Sequence, residues 1–492
     1  MFGIYSADQM RELDRQLVAN RSLDEIIDRA GYGIANLAAR ILKVPYGKTV
    51  VVLIGTGNNA KDGQAAARVL SRMGAKVRIE PVTRRESLKV PRADLVIDAV
   101  LGFGFHGEFS GIGLLGGQKI LSIDVPSGLD ADSGIASPNT SPANFTVSLV
   151  GLKPGLFLGG GPRLCGETYL YRAVEVPKDL EPEGWSVAPQ DVSLVRRDLE
   201  SHKWTAGVAV FAGSTGMAGA AALACGAAMR SGAGIVHLMS AEPSAWFGLF
   251  HEDPEIVLSN SRWDSKDNRF DPELDLSRFK SVVIGPGLGE HSREILRHLL
   301  GRFDGPMVID ADALSGVAQD PTLLEAIRCR VGETVLTPHG GELSKLMRAS
   351  NSDTSHSTLV EFARSHLLYL LVKGFPTRIY GPDGKYYVVA SNGSNLASAG
   401  TGDVLSGILG ARLAASDRGG ASVVDAAMIH GLASQLLPGD SLTAYDLVKH
   451  IPGAISLLSR WPQAWNSAPF VPIQATGPLC FSSQSQIDWR ES

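Results

Sequence analysis

Short apolar runs that stop at a glycine or an acid recur along this chain, with helix-forming stretches between them. No other feature limits the possible folds as tightly. "TVVVLIG" (residues 49–55) reads as a buried strand, "TGNNAKDG" as a loop, "QAAARVLSRMG" as a helix and "AKVRIE" as the next strand. Continuous apolar character marks strands covered on both faces, the habit of parallel sheets. Two further runs end in acids, "ADLVIDAVLG" at Asp98 and "ILSIDVPSG" at Asp124. Acids just past the ends of parallel strands lie where ligands bind in such folds. Ahead of this series, residues 6–42 carry a helical period that ends near Lys43 and Pro45.

The pattern restarts after residue 200. "GVAVFAG" reads as a strand, a helix follows near 218–231, and "GIVHLMS", "SVVIG", "PMVIDAD", "ETVLTP", "LYLLVKG" and the pair "TRIYG"/"KYYVVA" are further strands. Helices are expected at about 402–415 and 423–437. Residues 176–200 are rich in proline and charge and read as a linker. A chain of 492 residues exceeds one ordinary core. The organisation expected is an α/β domain over 1–190, a second over 198–460, and a loosely ordered tail over 461–492, where no period is visible.

A formal net charge of -5 offers no basic surface for nucleic acid. No run of about 18 apolar residues exists to cross a membrane. The N-terminus "MFGIYSADQMRELDRQ" lacks the basic and apolar segments of a signal peptide. Cys165, Cys225, Cys329 and Cys480 form no CxxC pair, which argues against a zinc site or a disulfide framework. A cytoplasmic protein is the expectation, without nucleic-acid or membrane partners.

Four glycine-containing loops follow strands of the second half: "GSTGMAGA" (213–220), "GPGLG" (285–289), "KGFPT" (373–377) and "AGTGD" (399–403). Backbone amides in such loops hold phosphate, and Lys373 would add charge. Asp403 stands at a helix N-terminus, where a carboxylate is either a cap or a base beside a bound phosphate. His339 in "TPHGGE" reads equally as a loop histidine satisfied by Glu342, and His430 in "AAMIHGLA" as a buried helix histidine. Asp310 and Asp312 in "VIDADAL" are metal-linked, substrate-facing or a helix cap.

The order of these loops resembles the ribokinase-like superfamily, whose "GxGD" acid deprotonates a substrate hydroxyl as it attacks a nucleotide phosphate. "HKWTAGVAVFAGSTGMAGAAALACGAAMRSGAGIV", "IGPGLG", "VIDADAL", "LTPHGGEL", "VKG" and "SAGTGDVLSG" together look like the ADP- or ATP-dependent NAD(P)HX dehydratases. The resemblance implies repair of hydrated NADH or NADPH. Phosphorylating the 6-hydroxyl turns a poor leaving group into phosphate. It also implies that Asp403 is the general base and that Gly400 and Gly402 belong to an anion hole. Ala220, Gly287 and His339 would then line the hydrated nucleotide. Lys373, Gly374, Phe375, Pro376, Thr377 and Gly402 would hold the donor, ADP or ATP, with Mg2+.

In the first half, "GTGNNAKDG" (55–63), "DAVLGFGFHG" (98–107) and "SIDVPSGLDADSG" (122–134) resemble the NAD(P)HX epimerase domain. The implied architecture is a Rossmann-like three-layer domain followed by a ribokinase-like α/β domain. The epimerase resemblance implies interconversion of the R and S hydrates at ring carbon 6. It implies a potassium ion held by Asn59, Asp98 and Ser127, whose amide, carboxylate and hydroxyl oxygens suit a hard cation. Asn58, Asn59, Ala60, Lys61, Asp62, Gly102, Phe103, Gly104, Phe105, His106, Gly107, Glu108 and Asp124 would contact the hydrate, with Asp124 as acid/base. The family usually reads "NNGGDG", so Ala60 and Lys61 replace two glycines; a positive φ at either would cost of order 1 kcal/mol. "IIDRAG" likewise departs from "LMExAG" at Ile27 and Asp28. A homo-oligomer is expected. Two other functions fit part of the pattern: a kinase for a vitamin-precursor alcohol using the same Asp403, and a first domain that only binds.

Overall fold

The computed structural model describes residues 1–83, 88–195, 197–240, 253–259, 263–264, 269–270, 275–391, 393–416, 418–437, 439, 441–461 and 470–474. It divides into two compact units, Met1–Ser186 with Gln463–Ser492, and Val187–Pro462. The break falls at residue 186, inside the stretch read as a linker. There Gly184–Ser186 is a strand, paired antiparallel with Phe2–Ile4.

The first unit opens with two helices where the sequence period suggested one, α1 (Ala7–Asn20) and α2 (Leu23–Leu42). Ser6 caps α1 in a capping box with Gln9, and Ser22 starts α2 by accepting from the Glu25 amide, so the break is set by a second cap. The sheet follows with β1 (Thr49–Ile54), α3 (Asn58–Arg72), β2 (Lys76–Pro81), β3 (Leu95–Ala99), β4 (Lys119–Ile123), β5 (Phe145–Leu149) and β6 (Glu167–Tyr171). Its order is β6-β5-β4-β3-β1-β2, all parallel. The chain leaves β1 for one side and crosses to β3 on the other, so the crevice between β1 and β3 is the switch point. Ala30, Ile34 and Leu37 of α2 join Val50, Val52, Leu95 and Ile97 in the core.

The last strand of this sheet comes from the tail. Phe470–Gln474 pairs antiparallel with β6, and Phe470 is buried, stacked on Tyr171 with ring centroids 4.6 Å apart. The expectation of a loose tail is corrected there: β6 would otherwise present an open edge, and the strand covers it. Residues 462–469 and 475–492, Cys480 among them, lie outside the described residues.

The second unit holds β7 (Gly207–Phe211), α4 (Ala218–Arg230), β8 (Ile235–Met239), β9 (Val257–Ser259), β10 (Ser281–Ile284), α5 (Ser292–Leu300), β11 (Met307–Ile309), α6 (Ala311–Gln319), β12 (Thr334–Leu336), α7 (Gly340–Ala349), β13 (Tyr369–Val372), β14 (Thr377–Tyr380), β15 (Tyr386–Val389), α8 (Thr401–Ala414), α9 (Gly420–Gln435) and α10 (Ala444–Leu458). The order is β15-β14-β13-β12-β11-β10-β7-β8-β9. β13 to β9 run parallel; β14 and β15 return antiparallel. The switch point lies between β7 and β10. α8 is buried almost all round, and at Gly407 a side chain would stand 2.1 Å from the Ala224 carbonyl of α4. That approach lets α8 lie deep enough to bring its N-terminus to the strand ends. Among the described residues no helix is long and apolar enough to cross a membrane.

Candidate active sites

In the second unit the chain turns into α8 through Gly400, whose φ of 86° few other residues adopt at low cost. The amides of Gly402 and Asp403, in the first turn, have no partner among the described residues and point from the positive end of the helix. The Asp403 carboxylate makes no hydrogen bond or ion pair there either, so it does not cap α8. Burial, then repulsion from Asp310, raises its pKa to about 7 against the opposing pull of Lys373. A half-buried carboxylate free of donors and titrating near neutrality is equipped to accept a proton.

Lys373, just past β13, is placed by Asp310, whose Oδ1 lies 2.7 Å from its Nζ. Asp310 stands at the start of α6 but spends no oxygen on capping it. Its second oxygen accepts from Ser406 on α8 at 2.7 Å, so one buried carboxylate ties Lys373 to the Asp403 helix. Burial pushes the Asp310 pKa up, but the Lys373 charge and its hydrogen bonds outweigh that and hold it below the usual range. Glu342 adds a weaker contact to Lys373 at 3.9 Å. A side chain at Gly402 would meet the Lys373 ammonium at 3.2 Å, so cation and GxGD loop line one space.

Across the switch point, Ser214 Oγ donates to the Gly287 carbonyl at 2.9 Å, and the Gly213 amide to Pro286 at 2.9 Å. The "GSTG" and "GPGLG" loops are thereby clipped together. A side chain at Gly287 would stand 3.0 Å from Ala220 Cβ, so these two expected lining residues are neighbours. Asp312 accepts from the Gly289 amide at 2.8 Å and fixes that loop. His339 is the N-cap of α7: its Nδ1 accepts from the Gly341 amide at 3.0 Å, and Glu342 closes the capping box. Its side chain is 61% exposed, and its outer nitrogen, Nε2, lies 3.6 Å from Glu342 Oε2. His430 is buried, held near a pKa of about 4 by burial, with Nε2 2.9 Å from the Thr401 carbonyl.

In the first unit, α3 begins at Asn58, so "NNAKDG", read as loop, is helix. Ala60 and Lys61 lie in its first turns and have no positive φ. The glycines they replace are not needed for backbone freedom. Asn59 Nδ2 donates to the carbonyls of Leu101 at 3.0 Å and Ile123 at 3.1 Å, spanning the ends of β3 and β4. Asp98 accepts from the Ser127 hydroxyl at 2.5 Å, the Ser127 amide at 2.8 Å and the Ser122 hydroxyl at 3.2 Å. The Leu101 amide donates to Ser127 Oγ at 2.9 Å. Asn59, Asp98 and Ser127 therefore meet around Leu101. Burial raises the Asp98 pKa against these hydrogen bonds.

Asp124 follows β4 with a φ of 66° and is 4% exposed. Its Oδ1 accepts from Lys153 Nζ at 2.5 Å and from the Leu149 amide at 3.0 Å. Around it, Asp62 rises to about 8 through burial and the charges of Asp124 and Asp14. Asp14 of α1 rises to about 6 through burial and Asp124. His106, in the Gly102–Glu108 loop, holds Asp130 by Nδ1 at 2.7 Å.

Sequence reasoning missed Lys153, Asp14 and Ser406. A lone lysine in the apolar run "LVGLKPGLFLGG" was a usable signal, because a buried cation needs a carboxylate. Asp14 sits in "RELDRQ", which looks like a solvated helix face, and Ser406 in a helix gave no hint of its partner.

The family model described as NAD(P)H-hydrate dehydratase matches residues 208–455, half of the chain. The model of the YjeF-related protein N-terminus matches residues 23–90 and 79–155. A bifunctional NAD(P)H-hydrate repair enzyme of Mycobacterium leprae is 31% identical over 92% of this chain and 99% of its own length. The chain belongs to the bifunctional NAD(P)H-hydrate repair enzymes. The Coxiella burnetii member is 30% identical over the same shares of both chains. A solved Bacillus subtilis ADP/ATP-dependent NAD(P)H-hydrate dehydratase, co-crystallised with ATP and Mg2+, is 27% identical with a TM-score of 0.47, covering 55% of this chain and 96% of that one. Within this repair enzyme the dehydratase match runs from β7 into α10 and takes in the Lys373–Asp310–Asp403 site. The N-terminal match runs from α2 past β5 and takes in Asn59, Asp98, Asp124 and Lys153.

Proposed function

We propose that the second unit dehydrates the S hydrate of NADH or NADPH with Asp403 as general base, and that the first unit epimerises the hydrates with Asp124 as acid/base. The observation that carries the reading is Asp403 itself, a carboxylate without donors beside unpaired helix amides and Lys373.

Asp403 takes the proton of the 6-hydroxyl as its oxygen attacks the terminal phosphorus of ADP, and AMP leaves. Phosphate then departs with the C6–O electron pair and a proton leaves C5, restoring the ring double bond. The amides of Gly402 and Asp403 receive the negative charge that develops on the transferred group. Lys373 to Thr377 and Gly402 hold the donor; Ala220, Gly287 and His339 line the hydrate. Mg2+, when bound, neutralises phosphate charge. Among the described residues no group of three acids or histidines forms a metal site, and nucleotide phosphates would be its chief ligands.

In the first unit, protonation of the 6-hydroxyl lets it leave as water with the C6–O pair, and the ring-nitrogen lone pair forms an iminium bond. Water adds to the other face and returns a proton to the acid/base. Asp124 and its acidic neighbours offset the iminium charge. The all-oxygen donor set of Asn59, Asp98 and Ser127 fits potassium, whose charge would steady the loops after β3 and β4.

The test supplies the full-length protein with mixed R and S hydrates and ADP. Regeneration of NADH from both epimers, with AMP and phosphate, is the expected result. Accumulation of a stable phosphorylated alcohol would move the assignment to a small-molecule kinase.

A further inference from the structure

Lys153 is wholly buried, yet its ammonium meets one carboxylate and three neutral oxygens. Besides Asp124 Oδ1 it donates to the carbonyl of Leu149 at 3.1 Å, the carbonyl of Gly151 at 3.0 Å and Ser148 Oγ at 3.3 Å. Two of these acceptors flank Val150, whose φ of 65° is unusual for a β-branched residue. Asp124 has the same left-handed backbone at 66°. One ammonium thus pins two adjoining strand ends, after β4 and after β5, each through a residue in a costly conformation. Lys153 Nζ also lies 5.9 Å from the centre of the Phe103 ring, in the loop proposed to meet the hydrate.

The two Asp124 oxygens are treated differently. Oδ1 is taken by Lys153 and the Leu149 amide. Oδ2 has no partner among the described residues, although the residue is 96% buried. We propose that Lys153 is a positioning residue for epimerisation: it holds Asp124 by Oδ1 and so reserves Oδ2 for the proton exchanged with the hydrate. This rests on the acid/base role given to Asp124 above. Asp62 and Asp14 face the same cluster, each raised by Asp124 and lowered by Lys153, so removing the ammonium takes away the cation that offsets this acidic surrounding of Asp124.

The experiment follows R-to-S conversion by the full-length protein without nucleotide, which keeps dehydration silent; spontaneous epimerisation is the blank. Lys153→Met keeps the length of the side chain and removes the charge. In protein with a native melting transition, kcat is expected to fall by roughly 10²-fold or more while KM moves by less than about threefold. Lys153→Arg restores a cation and is expected to recover part of that loss. A lysine that only braced the fold would lower the melting temperature and leave kcat per folded protein unchanged; that result overturns the inference. If Lys153→Met does not fold, Lys153→Arg decides: conversion clearly above the blank supports the inference, and a folded protein at the blank overturns it. Asp124→Asn separates the two layers. If it converts at the wild-type rate, the acid/base assignment falls. If it stands at the blank while folded Lys153→Met is unaffected, only the role of Lys153 falls.

Discussion

Replacing Asp403 by asparagine should stop dehydration and stabilise the protein in the same stroke. Asparagine keeps the shape and removes the charge. Loss of a general base costs about 10²–10⁴-fold in turnover. The stability effect follows from the raised pKa. Asp403 sits near 3.8 in the unfolded chain and near 7 in the fold, chiefly through burial. The folded state therefore binds that proton more tightly. Its contribution is fully present below about pH 4 and is lost as pH rises through about 7, where ionised Asp403 is a burden on the fold. A shift of about 3 units corresponds to about 4 kcal/mol, which partial exposure of the carboxylate reduces to about 2 kcal/mol. For a unit of this size that is about 5 °C. Calorimetry at about pH 8 and about pH 4 reads it, with the second unit identified as the transition that ADP raises. The expected result is a higher transition for Asp403→Asn at the alkaline pH and none at the acid one. An equal or lower transition at pH 8 would refute the burial argument. Dehydration above about a tenth of the wild-type rate would refute the base.

Gly402→Val sets a branched side chain on a site where a Cβ already lies 3.2 Å from the Lys373 ammonium. ADP affinity by calorimetry and turnover should both fall; no change in either would remove the loop from the phosphate site. Phe470→Ala empties a buried position against Tyr171 and should cost the first unit about 3 kcal/mol, seen as a drop in its melting transition alone. Ala60→Gly with Lys61→Gly should leave epimerisation within about twofold, while each glycine in α3 costs stability of about 1 kcal/mol; a large gain in rate would mean that these side chains obstruct the site. Exchanging potassium for tetramethylammonium should slow epimerisation of the wild type, and Asp98→Ala should abolish that response; a rate indifferent to the cation would dismiss the ion.

The sequence by itself determined the strands and the loops that follow them. "TVVVLIG", "ADLVIDAVLG" and "GVAVFAG" are apolar throughout because helices cover both faces of a parallel sheet, and that information is local. The same holds for the GxGD turn, where glycine at the left-handed position precedes a helix. Asp98 and Asp124 stand out because each ends such a strand, and Lys373 and Asp403 because each belongs to a glycine loop after one; Asn59 and the roles of all five come from the family resemblance. Ligand sites in doubly wound sheets gather at those ends. What the sequence left open depended on approach through space. Helical conformation at Ala60 and Lys61 follows from α3 starting at Asn58, four residues before Asp62, which the stretch "GTGNNAKDG" does not announce. The break between α1 and α2 turned on a second serine cap within one continuous helical period. Only the tertiary structure could decide that Lys153 pairs with Asp124, that Asp14 joins them, that Ser406 links Asp310 to α8, and that residues 470–474 close the edge of a sheet begun more than four hundred residues earlier. Periodicity and turn chemistry are written in neighbouring residues; charge pairing and edge closure belong to residues that meet only after the chain has folded.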